Sequence, residues 1–96
     1  MAKYFTRHML YKMRNNIPIV DVLVVLQWPH KIRDERVCFV CPKCSESLTA
    51  INQRTNLGRC FRCETNFNSI DLVMLIKETD FVAAVHFLQQ RFPESS

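Results

Sequence analysis

Two close cysteine pairs, Cys41-Pro42-Lys43-Cys44 and Cys60-Phe61-Arg62-Cys63, stand fifteen residues apart and constrain this chain more than any other feature. Two residues between thiols allow one tight turn to present both sulfurs to a single ion, and a hairpin-length spacer returns the second pair opposite the first. The expected site is a closed tetrahedral zinc centre with Cys41, Cys44, Cys60 and Cys63 as ligands. Two disulfides, or reduced core cysteines with accidental spacing, are the competing readings.

A fifth thiol, Cys38, forms an overlapping pair with Cys41. Turn chemistry selects Cys41 with Cys44, because Pro42 and Lys43 suit a bend whereas Phe39 and Val40 belong in a strand. Strand alternation also sets Cys38 and Cys41 on opposite faces, which leaves Cys38 as a small buried hydrophobe or a free thiol. The run Cys38, Cys41, Cys44 is similar to part of an iron-sulfur motif, but the fourth cysteine followed by proline is missing. His8, His30 and His86 receive no ligand role.

A chain of 96 residues is expected to form one small domain, of a size at which a bound metal contributes to stability. The longest apolar run, Ile17 to Trp28, is broken by Pro18, Asp21 and Gln27, and falls short of the roughly 20 residues that a membrane span needs. No apolar signal segment follows Met1. These features lead to the expectation of a cytoplasmic protein with reduced thiols, no membrane contact and no small-molecule substrate. The formal net charge is +4, with eleven Lys and Arg against five Asp and Glu in residues 1–68, and two against four in residues 69–96. Four thiolates and a divalent ion would lower the net charge by two, so positive charge would act as a local patch rather than as a global field.

Residues 1–16 form a basic segment, with Phe5, Met9, Leu10 and Met13 at helical spacing; either a docked helix or a free arm fits. Pro18 suits the first turn of a second helix whose apolar face is Val22, Leu23, Val25 and Leu26. His30 to Arg36 reads as a charged connector. Strands are expected at Val37 to Val40, Leu48 to Ile51 and Leu57 to Cys60, with a turn at Thr55-Asn56. Asn68 or Ser69 then caps a helix running to about Glu78, and Thr79 or Asp80 caps a last one with Phe81, Ala84, Val85, Leu88 and Phe92 on one stripe. Residues 93–96 read as a tail. The fold class is therefore α+β: a small ribbon-like antiparallel sheet of three strands or more, with helices on its N- and C-terminal sides.

Five pieces in this order, Ile19-Val20-Asp21-Val22-Leu23, Cys41-Pro42-Lys43-Cys44, Cys60-Phe61-Arg62-Cys63, Ser69-Ile70-Asp71-Leu72-Val73-Met74 and Phe81-Val82-Ala83-Ala84-Val85-His86-Phe87-Leu88, resemble the zinc-binding domain of bacterial and phage-type (DnaG-like) DNA primases. The resemblance covers residues 17–92. Cellular members of that family carry histidine at the place of Cys44, so this chain is similar to the all-cysteine phage version. Arg62 and Glu64 stand where glycines usually flank the second knuckle, and the segment after the first knuckle is reduced to Ser45-Glu46-Ser47-Leu48-Thr49-Ala50. The resemblance implies a module that binds single-stranded template DNA and acts in trans with a primase, polymerase or helicase subunit in DNA replication, within a primosome. The chain shows no acidic metal-catalysis cluster and no phosphate-cradling glycine loop, so no enzymatic activity of its own is expected. Lys43, Arg54, Arg59, Phe61 and Arg62 are the first candidates for nucleic-acid contact, followed by Lys31, Arg33 and Arg36. The alternative is a protein-interaction adaptor or inhibitor that keeps the scaffold without binding DNA.

Overall fold

A computed structural model describes residues 5–93. Lys3 and Tyr4 of the basic N-terminal segment, and residues 94–96 of the tail, lie outside the described residues. The element order is α1 (Arg7–Asn16), α2 (Ile19–Val25), β1 (His30–Arg33), β2 (Arg36–Phe39), β3 (Thr49–Asn52), β4 (Leu57–Cys60), β5 (Thr65–Phe67), α3 (Ser69–Ile76) and α4 (Phe81–Arg91). The five strands form one antiparallel meander in sequence order, flanked by the four helices, so the α+β expectation holds.

Local chemistry sets the helix starts. The Thr6 and Asp80 side chains accept from Met9 N–H and Ala83 N–H at the heads of α1 and α4. Asn68 and Asp71 form a reciprocal capping box at the head of α3, satisfying two otherwise orphaned donors. Pro18 is the residue before α2 rather than within its first turn. The C-termini of α2 and α3 turn through Gln27 and Glu78, both at positive φ. There Trp28 N–H donates to Leu23 O and Thr79 N–H to Met74 O, as in glycine-terminated helices.

The register divides the sheet into two faces. Phe39, Thr49, Ile51, Gly58 and Phe67 share the inner face and are buried. With Ile19, Val22 and Leu23 of α2, Ile70, Leu72 and Val73 of α3, and Ala84, Val85 and Leu88 of α4 they build a single core. Met13 of α1 and Ile17 after it are fully buried in the same core, and the buried Ser69 hydroxyl donates to Met13 O at 3.0 Å. The docked form of the N-terminal helix is thus the one adopted. Lys31, Arg33, Arg36, Cys38, Ala50, Asn52, Leu57, Arg59 and Asn66 occupy the outer face.

Two expectations are corrected. The connector read at His30 to Arg36 is a β-hairpin, closed by Asp34 and Glu35 at φ 51° and 62°. Its strand alternates charged residues with a single apolar one and carries no turn-marking glycine, so neither the apolar alternation nor the usual turn chemistry signals it. Strand β5 was not expected either; it is three residues long, and only Phe67 reaches the core. The other strands fall within a residue of their expected bounds. No helix among the described residues is long and apolar enough to cross a membrane.

Candidate metal centre and basic sheet face

The antiparallel meander brings the Cys41–Cys44 loop, which joins β2 to β3, and the Cys60–Cys63 turn, which joins β4 to β5, to the same end of the sheet. The four sulfurs lie within 4.8 Å of one another. Cys41 Sγ is 3.7 Å from Cys63 Sγ, and Cys44 Sγ is 3.4 Å from Cys60 Sγ. A tetrahedral ion with metal–sulfur bonds of about 2.3 Å requires sulfurs about 3.8 Å apart, so the four thiols fit one metal ion with small adjustments. They are too far apart for a disulfide, whose sulfurs bond at about 2.05 Å, and all five cysteines are free.

Each knuckle is shaped by its backbone. Lys43 N–H points at Cys41 Sγ, 3.4 Å away, while Ser45 N–H donates to Cys41 O and Cys41 N–H to Glu46 O. The residue after each second cysteine turns left-handed, Ser45 at φ 67° and Glu64 at φ 52°. Such conformations cost a non-glycine residue about 1 kcal/mol or more. Glu64 thus takes the conformation that a glycine would adopt freely. Cys41 and Cys60 are buried, and Cys44 and Cys63 half-buried.

Burial opposes ionisation of these thiols unevenly. Desolvation, reinforced by the adjacent thiols, pushes Cys44 up to about 12. Desolvation acts on Cys60 as well, but hydrogen bonds from the Cys63 amide and from the Cys44 and Cys63 side chains outweigh it and bring Cys60 down to about 6. The cluster thus offers one ready thiolate and holds at least one proton that a cation must displace. Cys38 is buried outside the cluster on the opposite face of the sheet, as alternation required. The three histidines stand apart from it too: His30 Nδ1 lies 2.7 Å from Trp28 O, and His86 packs edge-on to Phe5.

The basic candidates separate into three groups. Arg36, Arg54, Arg59 and Phe61 line one open groove of about 480 Å³ on the outer side of the sheet, with Asn52, Gln53 and Asn66 beside them. Phe61 is 71 % exposed, and the Arg59 guanidinium lies over its ring at 5.4 Å while donating to Asn66 Oδ1 at 3.4 Å. Lys31 and Arg33 share the outer face on β1 but do not line the groove. Lys43 and Arg62 are exposed on the two knuckles and do not line the groove either. The groove amides were missed by sequence reasoning. Alternation along β3 marks Asn52 as outward-facing, but Asn66 lies on the short strand that the pattern does not reveal.

No protein-family model matches the chain, and no curated protein matches its sequence.

Proposed function

We propose that this chain is a structural-zinc module that binds single-stranded nucleic acid across the outer face of its sheet. The observation that carries this reading is the groove that Arg36, Arg54 and Arg59 line together with the exposed ring of Phe61, over which the Arg59 guanidinium lies. Single strands are held by cations that track phosphates and by aromatic rings that stack on bases, and Asn52, Gln53 and Asn66, which line the same groove, carry amides of the kind that pair with base edges. Zinc suits four thiolates in a tetrahedral shell, and a shell filled by protein ligands leaves no position for a reacting water. The metal therefore holds the scaffold, and we assign the chain no catalysis of its own. The order of its motifs resembles the zinc-binding domain of DnaG-like primases, which supports an accessory role in primer synthesis, in trans with a primase, polymerase or helicase subunit.

The test is a titration of the zinc-loaded protein against a fluorescent oligothymidylate at several salt concentrations. Three groove arginines on phosphates predict a slope of log affinity against log salt of about −2, at about −0.7 per contact. Replacing Arg59 and Phe61 by alanine together should weaken binding at least about tenfold with the fold intact, since stacking alone is worth about 1–3 kcal/mol per base. Binding that is absent at low salt, or flat with salt, would overturn the reading and leave a protein-interaction module on the same scaffold.

A further inference from the structure

We propose that β1 is a docking edge for an extended acidic segment of a partner protein, which joins the sheet as an additional strand. The sheet runs β1 to β5, and its two edges differ. At one, β5 packs against α3 and buries Phe67. At the other, no strand lies beyond β1 among the described residues, and all four of its residues are exposed, Ile32 at 77 %.

The register fixes which main-chain groups point outward. The two-residue turn with both φ positive makes Arg33 and Arg36 a hydrogen-bonded pair. Bonded and non-bonded pairs alternate along an antiparallel ladder, so Lys31 also bonds inward to Cys38, and Pro29 O accepts from Val40 N–H at 3.2 Å. His30 and Ile32 are left with their N–H and C=O groups directed away from the sheet. An extended peptide fills such a row, whereas a nucleic acid has no repeating amide ladder to offer.

Side chains select the occupant. Lys31 and Arg33 project on one face of the edge and Ile32 on the other. The complementary strand carries an acid, a branched apolar residue and another acid in succession, the acids opposite Lys31 and Arg33 and the apolar residue opposite Ile32. A second copy of this chain is a poor occupant, because antiparallel self-pairing centred on Ile32 would set Lys31 against Arg33. The inference stands apart from the nucleic-acid reading, since it uses neither the groove nor DNA.

The experiment titrates ¹⁵N-labelled, zinc-loaded protein with a blocked peptide of alternating glutamate and valine, and with a control in which lysine replaces glutamate. Only the glutamate peptide should bind, shifting the amides of residues 30–33 and slowing hydrogen exchange at His30 and Ile32. Lys31→Glu with Arg33→Glu should lose the glutamate peptide at least about tenfold and gain the lysine one, while the remaining spectrum is unchanged. Ile32→Thr, which leaves the charges in place, should weaken the glutamate peptide several-fold. Failure of the glutamate peptide to bind, equal binding of both peptides, shifts that map elsewhere, retained affinity in the charge-reversed protein, or a dimer in sedimentation that the reversal dissolves would each overturn the proposal.

Discussion

A methyl group at Gly58 would sit 2.5 Å from Cζ and 2.7 Å from Cε1 of Phe39. That ring is 1 % exposed and belongs to the central core, so it has no open space into which to retreat. Gly58→Ala is expected to cost about 1–3 kcal/mol, as overpacking generally does. It should lower the urea midpoint without changing the slope, and Phe39→Leu in the same chain should return part of the loss. The cysteines divide equally sharply. Cys38→Ala removes a buried sulfur that faces away from the cluster, so it should keep one metal per chain and cost about 1 kcal/mol. Cys60→Ser deletes a buried thiol of the cluster and should abolish stoichiometric metal, as measured by elemental analysis after dialysis. The clustering of four thiols was legible because cysteines paired at two-residue spacing have few other uses. The partner of Gly58 was not, because it lies on a strand nineteen positions away that only the folded register aligns with it.

Between elements, Asn56 joins the two halves of the molecule. From the β3–β4 turn, at φ 54°, its Oδ1 accepts from Ile19 N–H at 3.0 Å, and its Nδ2 donates to Arg14 O and Ile17 O at 2.7 Å each. The α1–α2 elbow, whose backbone groups have no helical partners there, is thereby pinned to the sheet. Asn56→Ala leaves those groups unpaired and should destabilise by about 2–3 kcal/mol. Asn56→Asp keeps the acceptor but sets a carboxylate against two carbonyl oxygens, so it should cost at least as much; paired denaturation curves check both. Sequence reading placed a turn at Asn56 but assigned it no long-range role, because a side chain that bonds to residues some forty positions away leaves no local pattern. The same limit explains the missed hairpin. Among the described residues seven non-glycine residues, Gln27, Asp34, Glu35, Ser45, Asn56, Glu64 and Glu78, hold positive φ while the one glycine does not. Turn signals built on glycine therefore point to the wrong places. Helices, by contrast, were legible because their 3.6-residue apolar stripes and their Asn68 and Asp80 caps are local.

For the molecule as a whole, an ion held by the four thiols would act as a tie across the small core. It would join the β2–β3 connection to the β4–β5 connection, at the end of the sheet opposite the Asp34-Glu35 and Asn56 turns. Without an ion, four sulfurs packed within 4.8 Å and the left-handed Ser45 and Glu64 lose what offsets their cost. Structural metal commonly contributes on the order of 10 kcal/mol to such sites, comparable to the entire stability of a small domain. Stripping the protein with a strong chelator should therefore abolish its cooperative thermal transition and most of its strand signal in circular dichroism, and added zinc should restore both. Stability should also rise by about 1.4 kcal/mol for each tenfold increase in free metal above the dissociation constant. Acid should act in the chelator's direction. Cys44, held up near 12 by desolvation, carries a proton at neutral pH that the metal must displace, so affinity should fall by about tenfold or more per unit of acidification. A chain that keeps its transition after chelation, with a melting temperature indifferent to free zinc, would show that the four thiols pack as ordinary core residues and that the helices alone hold the sheet.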